Sequence, residues 1–197
     1  MSERASSAGP ASSAGPASSA ELVEASVHAR VMAAAEEIKG WGEAAERLAR
    51  DPVNQPTINT WLEAMGFTGP LQERFQAGEA PPSMAQVWTM YGLGGEHAER
   101  DPLHAMMDAL TDAGFTAVLG TNSEQDYDRY LRVGEQVRIT TALESVIGPK
   151  ATGMGVGYFV TSRSTWYVDT MTPEGVASER VASMLFRVLK FIPEVRP

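Results

Sequence analysis

Gly134-Glu-Gln-Val-Arg-Ile-Thr-Thr-Ala-Leu-Glu-Ser-Val-Ile-Gly-Pro-Lys150, followed beyond Gly153, Gly155 and Gly157 by Tyr158-Phe-Val-Thr-Ser-Arg-Ser-Thr-Trp-Tyr-Val168, is the stretch whose reading decides the fold. It is dense in β-branched and aromatic residues and broken only by turn-formers, so it predicts two long strands joined by a hairpin. In the first strand Val137, Ile139, Leu143 and Ile147 alternate with Gln136, Arg138, Thr140 and Glu144, which gives one apolar face that needs a helix to cover it. In the second, Tyr158, Val160, Trp166 and Val168 share one parity while Phe159 and Tyr167 share the other. Both faces of that strand therefore call for cover, one from the chain's own helices and the other from a partner.

Working outward, the chain changes character on either side of this meander. Residues 1–20 repeat Ala-Ser-Ser-Ala-Gly-Pro and hold no side chain large enough to bury, so they cannot offset their ordering entropy and read as a disordered tail. From Glu21 the period is helical, with Val23, Val27, Val31, Ala34 and Ile38 on one face. Gly40-Trp41-Gly42 interrupts it before a more polar helix predicted over Glu43 to Ala49. Arg50-Asp51-Pro52 and Arg100-Asp101-Pro102 are helix-start signals, an N-cap followed by a first-turn proline, and the first of these helices can begin a few residues later, after Pro56. Thr57 to Met65 reads as a helix turning Ile58, Trp61, Leu62 and Met65 inward. Phe67 to Pro82 reads as loop. Met84, Val87, Trp88 and Tyr91 mark a short apolar helix, and Leu103, Met106, Met107 and Leu110 the next. After Gly114 come a short strand from Phe115 to Thr121, an extended polar segment from Asn122 to Leu131, the meander, and a last strand over Ala182 to Ile192. Helices followed by antiparallel strands make an α+β domain over residues 21–197.

Composition narrows the function classes. With 43% hydrophobic and 21% charged residues the chain is an ordinary globular one, and 16 Lys and Arg against 25 Asp and Glu give a formal charge of −9. No basic stripe is present, so nucleic acid and anionic membrane are poor partners. Cysteine is absent, which removes thiolate nucleophiles and Cys-type zinc sites and fits the cytoplasm. No run of about 18 apolar residues is present to span a membrane.

Asp51-Pro-Val-Asn-Gln-Pro-Thr-Ile-Asn-Thr-Trp-Leu-Glu-Ala-Met65, Ala80-Pro-Pro-Ser-Met84, Asn122-Ser-Glu-Gln125, Tyr130-Leu-Arg-Val-Gly134 and Leu185-Phe-Arg-Val-Leu-Lys-Phe191 together resemble the MaoC-type dehydratase family. Within it the chain is similar to the N-terminal-type domain in the larger subunit of actinobacterial steroid side-chain enoyl-CoA hydratases. The resemblance implies a hot-dog fold, a curved antiparallel sheet wrapped around a helix, here with extra N-terminal helices. Met84 to Tyr91 is short for that central helix. Active members carry Gly-Asp-x-Asn-Pro-x-His, whose carboxylate and imidazole exchange protons with water and substrate near neutral pH. Here the loop is Gly66-Phe67-Thr68-Gly69-Pro70-Leu71-Gln72, with Phe67 in place of the acid and Gln72 in place of the base, and neither can take a proton.

The resemblance thus implies a subunit with no catalytic residue of its own, in a heterodimer or heterotetramer with a smaller MaoC-like chain that supplies the Asp/His pair. The substrate would be a bulky, steroid side-chain acyl-CoA, and no separate cofactor is implied. Ser83 and Met84, whose backbone N–H groups match the family's oxyanion position, together with Trp88 and Tyr91, are the substrate-binding candidates, although Met84, Trp88 and Tyr91 at helical spacing are first of all core. The resembled larger subunits continue into a second domain, so the sequence reads as a piece of a longer chain. Two alternatives stay open: an enzyme acting alone, as a hydratase with another base or a thioesterase using Glu124 or Asp126, and a non-enzymatic acyl-CoA binder. Asp101-Pro102-Leu103-His104 reads as capping rather than catalysis. His97, Asp101 and His104 lack a fourth metal ligand. His28 reads as a solvated histidine, and the glycines at 153, 155 and 157 as places of strand flexibility or close backbone approach rather than a phosphate loop.

Because the first twenty residues bury nothing, deleting them is expected to leave the melting temperature and the assembly unchanged. Thermal denaturation checks this, and a loss of several degrees would show that the segment is docked.

Overall fold

The computed structural model describes residues 23–92 and 100–193, so the tail and His97 lie outside the described residues. The first helix, α1 (Ala25–Lys39), ends at Gly40 and buries Val31, Ala35 and Ile38. Glu43 to Ala49, expected as a polar helix, is instead extended, bridging Glu43 to Ala142 and forming the two-residue strand β1 (Arg47–Leu48). The competing partner is the open edge of the long strand beside it: Ala44 N donates to Thr141 O at 2.8 Å and Ala49 N to Val137 O at 2.8 Å. An edge that would otherwise leave backbone groups unpaired overrides a weak local helix preference.

The second helix, α2 (Gln55–Ala64), is capped by Asn54, whose side chain accepts from Thr57 N, with Pro56 in the first turn. Ile58 and Leu62 are buried, but Met65, expected inward, is the C-cap residue and 64% exposed. The stretch Phe67 to Pro82, read as loop, contains α3 (Gln72–Gln76), which delivers Phe75 into the core. Pro82–Met84 forms a 3-10 turn running into α4 (Ala85–Trp88), so the apolar helix expected from Met84 to Tyr91 is little more than one turn. The next helix, α5 (Pro102–Asp112), is capped by Asp101, whose Oδ1 accepts from Leu103 N at 2.9 Å and His104 N at 3.2 Å.

Four strands complete the chain: β2 (Ala117–Tyr127), β3 (Val137–Thr152), β4 (Gly155–Thr172) and β5 (Gly175–Pro193). β2 merges part of the expected short strand with part of the polar segment after it, and β5 begins at Gly175, well before the expected Ala182. All pair antiparallel in the order β1-β3-β4-β5-β2. The parity read from β4 is what the sheet uses. Tyr158, Val160, Trp166 and Val168 are buried on the helix side, while Phe159 and Tyr167 are half-buried on the other.

On β3 the alternation holds for Val137, Ile139 and Leu143 and then fails. Ile147 is 47% exposed, because the register shifts between Leu143 and Ser145 and leaves Glu144 as an extra residue. One residue of slip exchanges the faces, and Val146, opposite Val160, joins the core instead. Gly157 is a close-approach glycine, since a Cβ there would lie 2.3 Å from Lys190 O.

The helix side of the sheet holds two packed clusters. At one end α1 and α5 set Val31, Ile38, Met106 and Leu110 against Phe115, Leu143, Tyr158 and Val160. At the other, α2, α3 and α4 set Ile58, Leu62, Phe75, Met84 and Trp88 against Val137, Trp166, Val168 and Val181. The connection into β3 is clamped by Arg129, which holds Glu179 through Nε at 2.8 Å and Nη2 at 2.9 Å and reaches Glu135 at 2.8 Å.

The Arg129 guanidinium holds the Glu179 carboxyl below the ordinary carboxylate range, so its contribution is present above the unfolded value of about 4.3 and is lost as pH falls through the folded one. These groups are partly exposed and screened, which limits the clamp to about 1 kcal/mol. Arg129→Met is therefore expected to lower the melting temperature by about 2–4 °C at pH 7, with the difference shrinking at pH 4 and below. A constant difference across that range would contradict the assignment.

Candidate functional site

The degenerate loop is built by the end of α2. Gly66, at φ +58, lets the chain leave the helix with Phe67 N donating to Leu62 O at 2.9 Å. Phe67 then lays its ring 5.4 Å from that of Phe75, which in turn lies 6.1 Å from Tyr130. Phe67, expected in the acid's place, thus closes the rim of the core. Gln72 opens α3 and, with Gln55, Asn59, Glu63 and Gln76, lines an open cleft of about 480 Å³. Gln55 Nε2 donates to Asn59 Oδ1 at 2.9 Å and to Phe75 O at 3.1 Å. Amides surround this cleft and Glu63 is the one ionisable side chain lining it. Carboxamides donate and accept hydrogen bonds but do not take protons at neutral pH, so the loop can hold a ligand and cannot run acid–base chemistry by itself.

Across α2 lies a groove of about 420 Å³, walled by Thr57, Trp61 and Ala64 on α2 and by Met84 and Val87 beyond it. It adjoins a pocket of about 210 Å³ that includes Arg50, Asn54, Thr57, Val87, Trp88 and Tyr91. Three of the four candidate binding residues therefore converge here. Met84 is fully buried and forms part of the groove wall, Trp88 is buried in the second pocket, and Tyr91 is half-buried beneath the Arg47 guanidinium, 4.0 Å from its ring centre. Ser83 is exposed on the 3-10 turn. The Met84 amide donates to Pro81 O at 2.9 Å, which commits to the turn an N–H that the oxyanion role would require. Sequence reasoning passed over Trp61, Arg50 and the Gln55/Asn59 pair. The i, i+4 spacing of Gln55, Asn59 and Glu63 was the available signal for one polar face of α2, and Arg50 was absorbed into a capping motif.

The remaining titratable candidates lie apart from this end of the molecule or in structural roles. Asp101 is buried as the cap of α5, and its other oxygen lies 3.3 Å from His104 Nδ1, as a capping residue with a first-turn histidine should. His28, read as solvated, has Nδ1 3.0 Å from the hydroxyl of the fully buried Tyr158, whose burial raises its pKa. The helix α1 packs on β3, and from there His28 reaches the Tyr158 hydroxyl on the neighbouring strand β4. Glu124 and Asp126 alternate with Gln125, which approaches Met184, and with Tyr127, which packs in the helix-side core, so their side chains are on the sheet face away from the grooves. Among the described residues no group of three or more His, Asp or Glu side chains could hold a metal, and no helix is long and apolar enough to cross a membrane.

Known proteins share this architecture and sequence. Residues 41–170 match the family model described as FAS1-like, dehydratase domain region. The chain is 43% identical over 175 residues to the 3-oxo-4,17-pregnadiene-20-carboxyl-CoA hydratase alpha subunit of Mycobacterium tuberculosis, a match covering 85% of this chain and 54% of the relative. It is 32% identical over 159 residues to a probable enoyl-CoA hydratase alpha subunit of Thermomonospora curvata, covering 75% of this chain and 48% of the relative. Among solved structures it is similar to a chain of the ChsH1-ChsH2 complex from Mycobacterium tuberculosis, with 43% identity, a TM-score of 0.75, and coverage of 86% of this chain and 96% of that one. The chain spans about half the length of the curated relatives it matches.

Since the half-buried Phe67 packs against Phe75 at the mouth of the cleft, Phe67→Asp is expected to destabilise the domain by about 2 kcal/mol, from lost packing and a carboxylate placed at an apolar rim. A drop of roughly 4 °C or more in thermal denaturation checks this. An unchanged melting temperature would mean that the ring is not part of the core.

Proposed function

The chain belongs to the FAS1-like dehydratase domain family, and we propose on that premise that it is the binding half of a heteromeric enoyl-CoA hydratase. The observation that carries the reading is the pairing of a loop without acid or base, Phe67 to Gln72, with an apolar groove immediately across α2. Hydration of an enoyl thioester needs three events: a base takes a proton from water, the oxygen bonds to the β-carbon, and an acid returns a proton to the α-carbon. Carboxylate and imidazole suit those roles, and on this reading both belong to a smaller hot-dog chain docked beside this one. Water is added with no net change of oxidation level, so the CoA thioester is itself the only organic reactant and no redox cofactor is required. The cytoplasm, where acyl-CoA is made and used, is the proposed compartment.

What this chain contributes is room and an interface. A catalytic loop that no longer carries catalytic side chains can be reshaped, and the groove between α2 and α4 is the proposed seat of a bulky polycyclic acyl group of the kind named in the Mycobacterium tuberculosis relative. The proposed docking edge is β2. It is a long edge strand with side chains exposed almost throughout, including Val118 and Leu119 at 56% and 45%, and unpaired strand edges of that length normally pair with another chain. A thioesterase acting through Glu124 or Asp126 finds no support, because both carboxylates are on the face away from the groove.

Expressed with the smaller chain, this chain is expected to elute as a defined heteromer that hydrates enoyl-CoA, and alone to self-associate without activity. In the assembled enzyme Gln72→Ala is expected to change kcat by less than about twofold, since no proton passes through a carboxamide. A fall in kcat of about a hundredfold with assembly intact would give Gln72 a chemical role and overturn the reading.

A further inference from the structure

The two clusters packed under the helices draw on one face of the sheet, and the other face has an apolar feature of its own. On β4 the residues Phe159, Thr161, Arg163, Thr165 and Tyr167 point to this outer face. Register sets Ile147 of β3 opposite Phe159, Phe159 opposite Leu189 of β5, and Leu189 opposite Leu119 of β2. One apolar side chain from each of four adjacent strands thus makes a row straight across the sheet. Phe191, opposite Gly157 and Ala117, widens the row on one side. Leu189 and Phe191 are 3% and 5% exposed although neither belongs to a helix-packed cluster. The ends of the row stay open, with Ile147 at 47% and Leu119 at 45%, and Phe159 is half-buried between them.

Around the row the face is balanced in charge. Lys150, Arg163 and Arg187 stand against Glu124, Asp126 and Glu144, with Arg163 Nε donating to Glu144 Oε1 at 2.5 Å and Arg187 Nε to Thr161 Oγ1 at 3.1 Å. Farther along, Arg138 is held by Glu46 and Asp169, and Arg180 by Asp128. In a chain whose formal charge is −9, a neutral face lets a second copy approach where most of the surface would repel it. Four strands and five rows of outward side chains cover a footprint of about 20 Å by 30 Å. That is roughly 600 Å² before the relief of the side chains is counted, close to the about 800 Å² per partner of a stable interface. A smaller chain paired along the β2 edge extends the sheet sideways, so it leaves this face uncovered.

We propose that the outer face of the sheet is the contact between two copies of this chain, packed face to face about a two-fold axis, and that the row from Ile147 to Leu119 is its centre. An axis along the strands through the middle of the row sets Ile147 of one copy against Leu119 of the other, and Phe159 against Leu189. Side chains of similar size then meet at mirrored positions, which is the self-complementarity that a two-fold contact requires. Two twisted sheets stack in this way about 10 Å apart with their inward side chains interdigitated. The proposal rests on the heteromer reading for the chain paired along β2 and adds the surface that joins two such heterodimers. It also accounts for the second parity of β4, where Phe159 is large without a helix of this chain above it.

The test is the mass in solution of the assembled heteromer, measured by sedimentation velocity over a range of concentrations. The wild-type assembly is expected to hold two copies of each chain. Ile147→Glu, two strands away from β2, is expected to halve that mass to one copy of each while turnover per heterodimer stays within about twofold. Arg187→Glu, at an exposed position on the same face, is expected to do the same at low salt and keeps the test decisive if the Ile147 variant fails to fold. A wild-type assembly with one copy of each chain, or variants that keep the full mass, would overturn the proposal. Loss of the smaller chain from the Ile147→Glu assembly would overturn it too, since the smaller chain would then be what covers the face. If no heteromer forms, the heteromer reading falls and the face is judged on this chain alone. A two-copy species that becomes single in Ile147→Glu would sustain the contact; a single-copy wild type, or a two-copy variant, would overturn it.

Discussion

One row of large side chains on β4 sets the terms for everything else. Tyr158, Val160, Trp166 and Val168 all point to the same face and are all buried, and leaving any one of them in water would sacrifice roughly 1.5–3 kcal/mol. Between the two pairs the row is occupied by the buried Ser162 and Ser164, too small to anchor a packed layer. The helices therefore divide into two groups, α1 and α5 over Tyr158 and Val160, α2 with α3 and α4 over Trp166 and Val168. The second group is the thinner one. α4 is a four-residue helix, so it fills less of the space beside α2 than a full-length helix would, and the grooves around Met84 and Trp88 lie where the covering layer is short.

That division also explains how much could be read from residues alone. The β4 parity, the Asp101 and Pro102 helix start and the end of α2 near Met65 were all legible, because each depends on local geometry or on a period of two. Ile147 was misplaced because a bulge at Glu144 shifts register without any glycine or proline to announce it. The strand at Arg47 was read as helix because its partner, Ile139 on the edge of β3, is far away in sequence. α3 went unseen since its only deep anchor is Phe75 in a polar run. At the site, the chemically empty loop was visible by resemblance, as Phe67 and Gln72 where an acid and a base are expected. That Arg50 and Trp88 line one pocket was not, because one belongs to a capping motif and the other to an apolar helix well separated from it in sequence.

On the proposed reading, chemistry and recognition are separated between chains. Phe67 packs half-buried against the core, and the amides around Gln72 are held by one another and by the backbone of α3. A loop committed to packing in this way is freed from the geometric demands of proton transfer, and the neighbouring groove can then take a shape suited to a large acyl group. The long, exposed edge of β2 is consistent with such a division, since a chain that binds without reacting has to present its ligand to a second chain.

The central claim is that the protons move on the partner while this chain supplies the binding surface. It is tested most directly by holding the partner at a fixed concentration and titrating in this chain while following enoyl-CoA hydration under saturating substrate. The expected result is no turnover at zero partner, a rate that climbs with added chain, and a sharp break at a fixed molar ratio. A rate that rises in proportion to this chain with no partner present would contradict the claim.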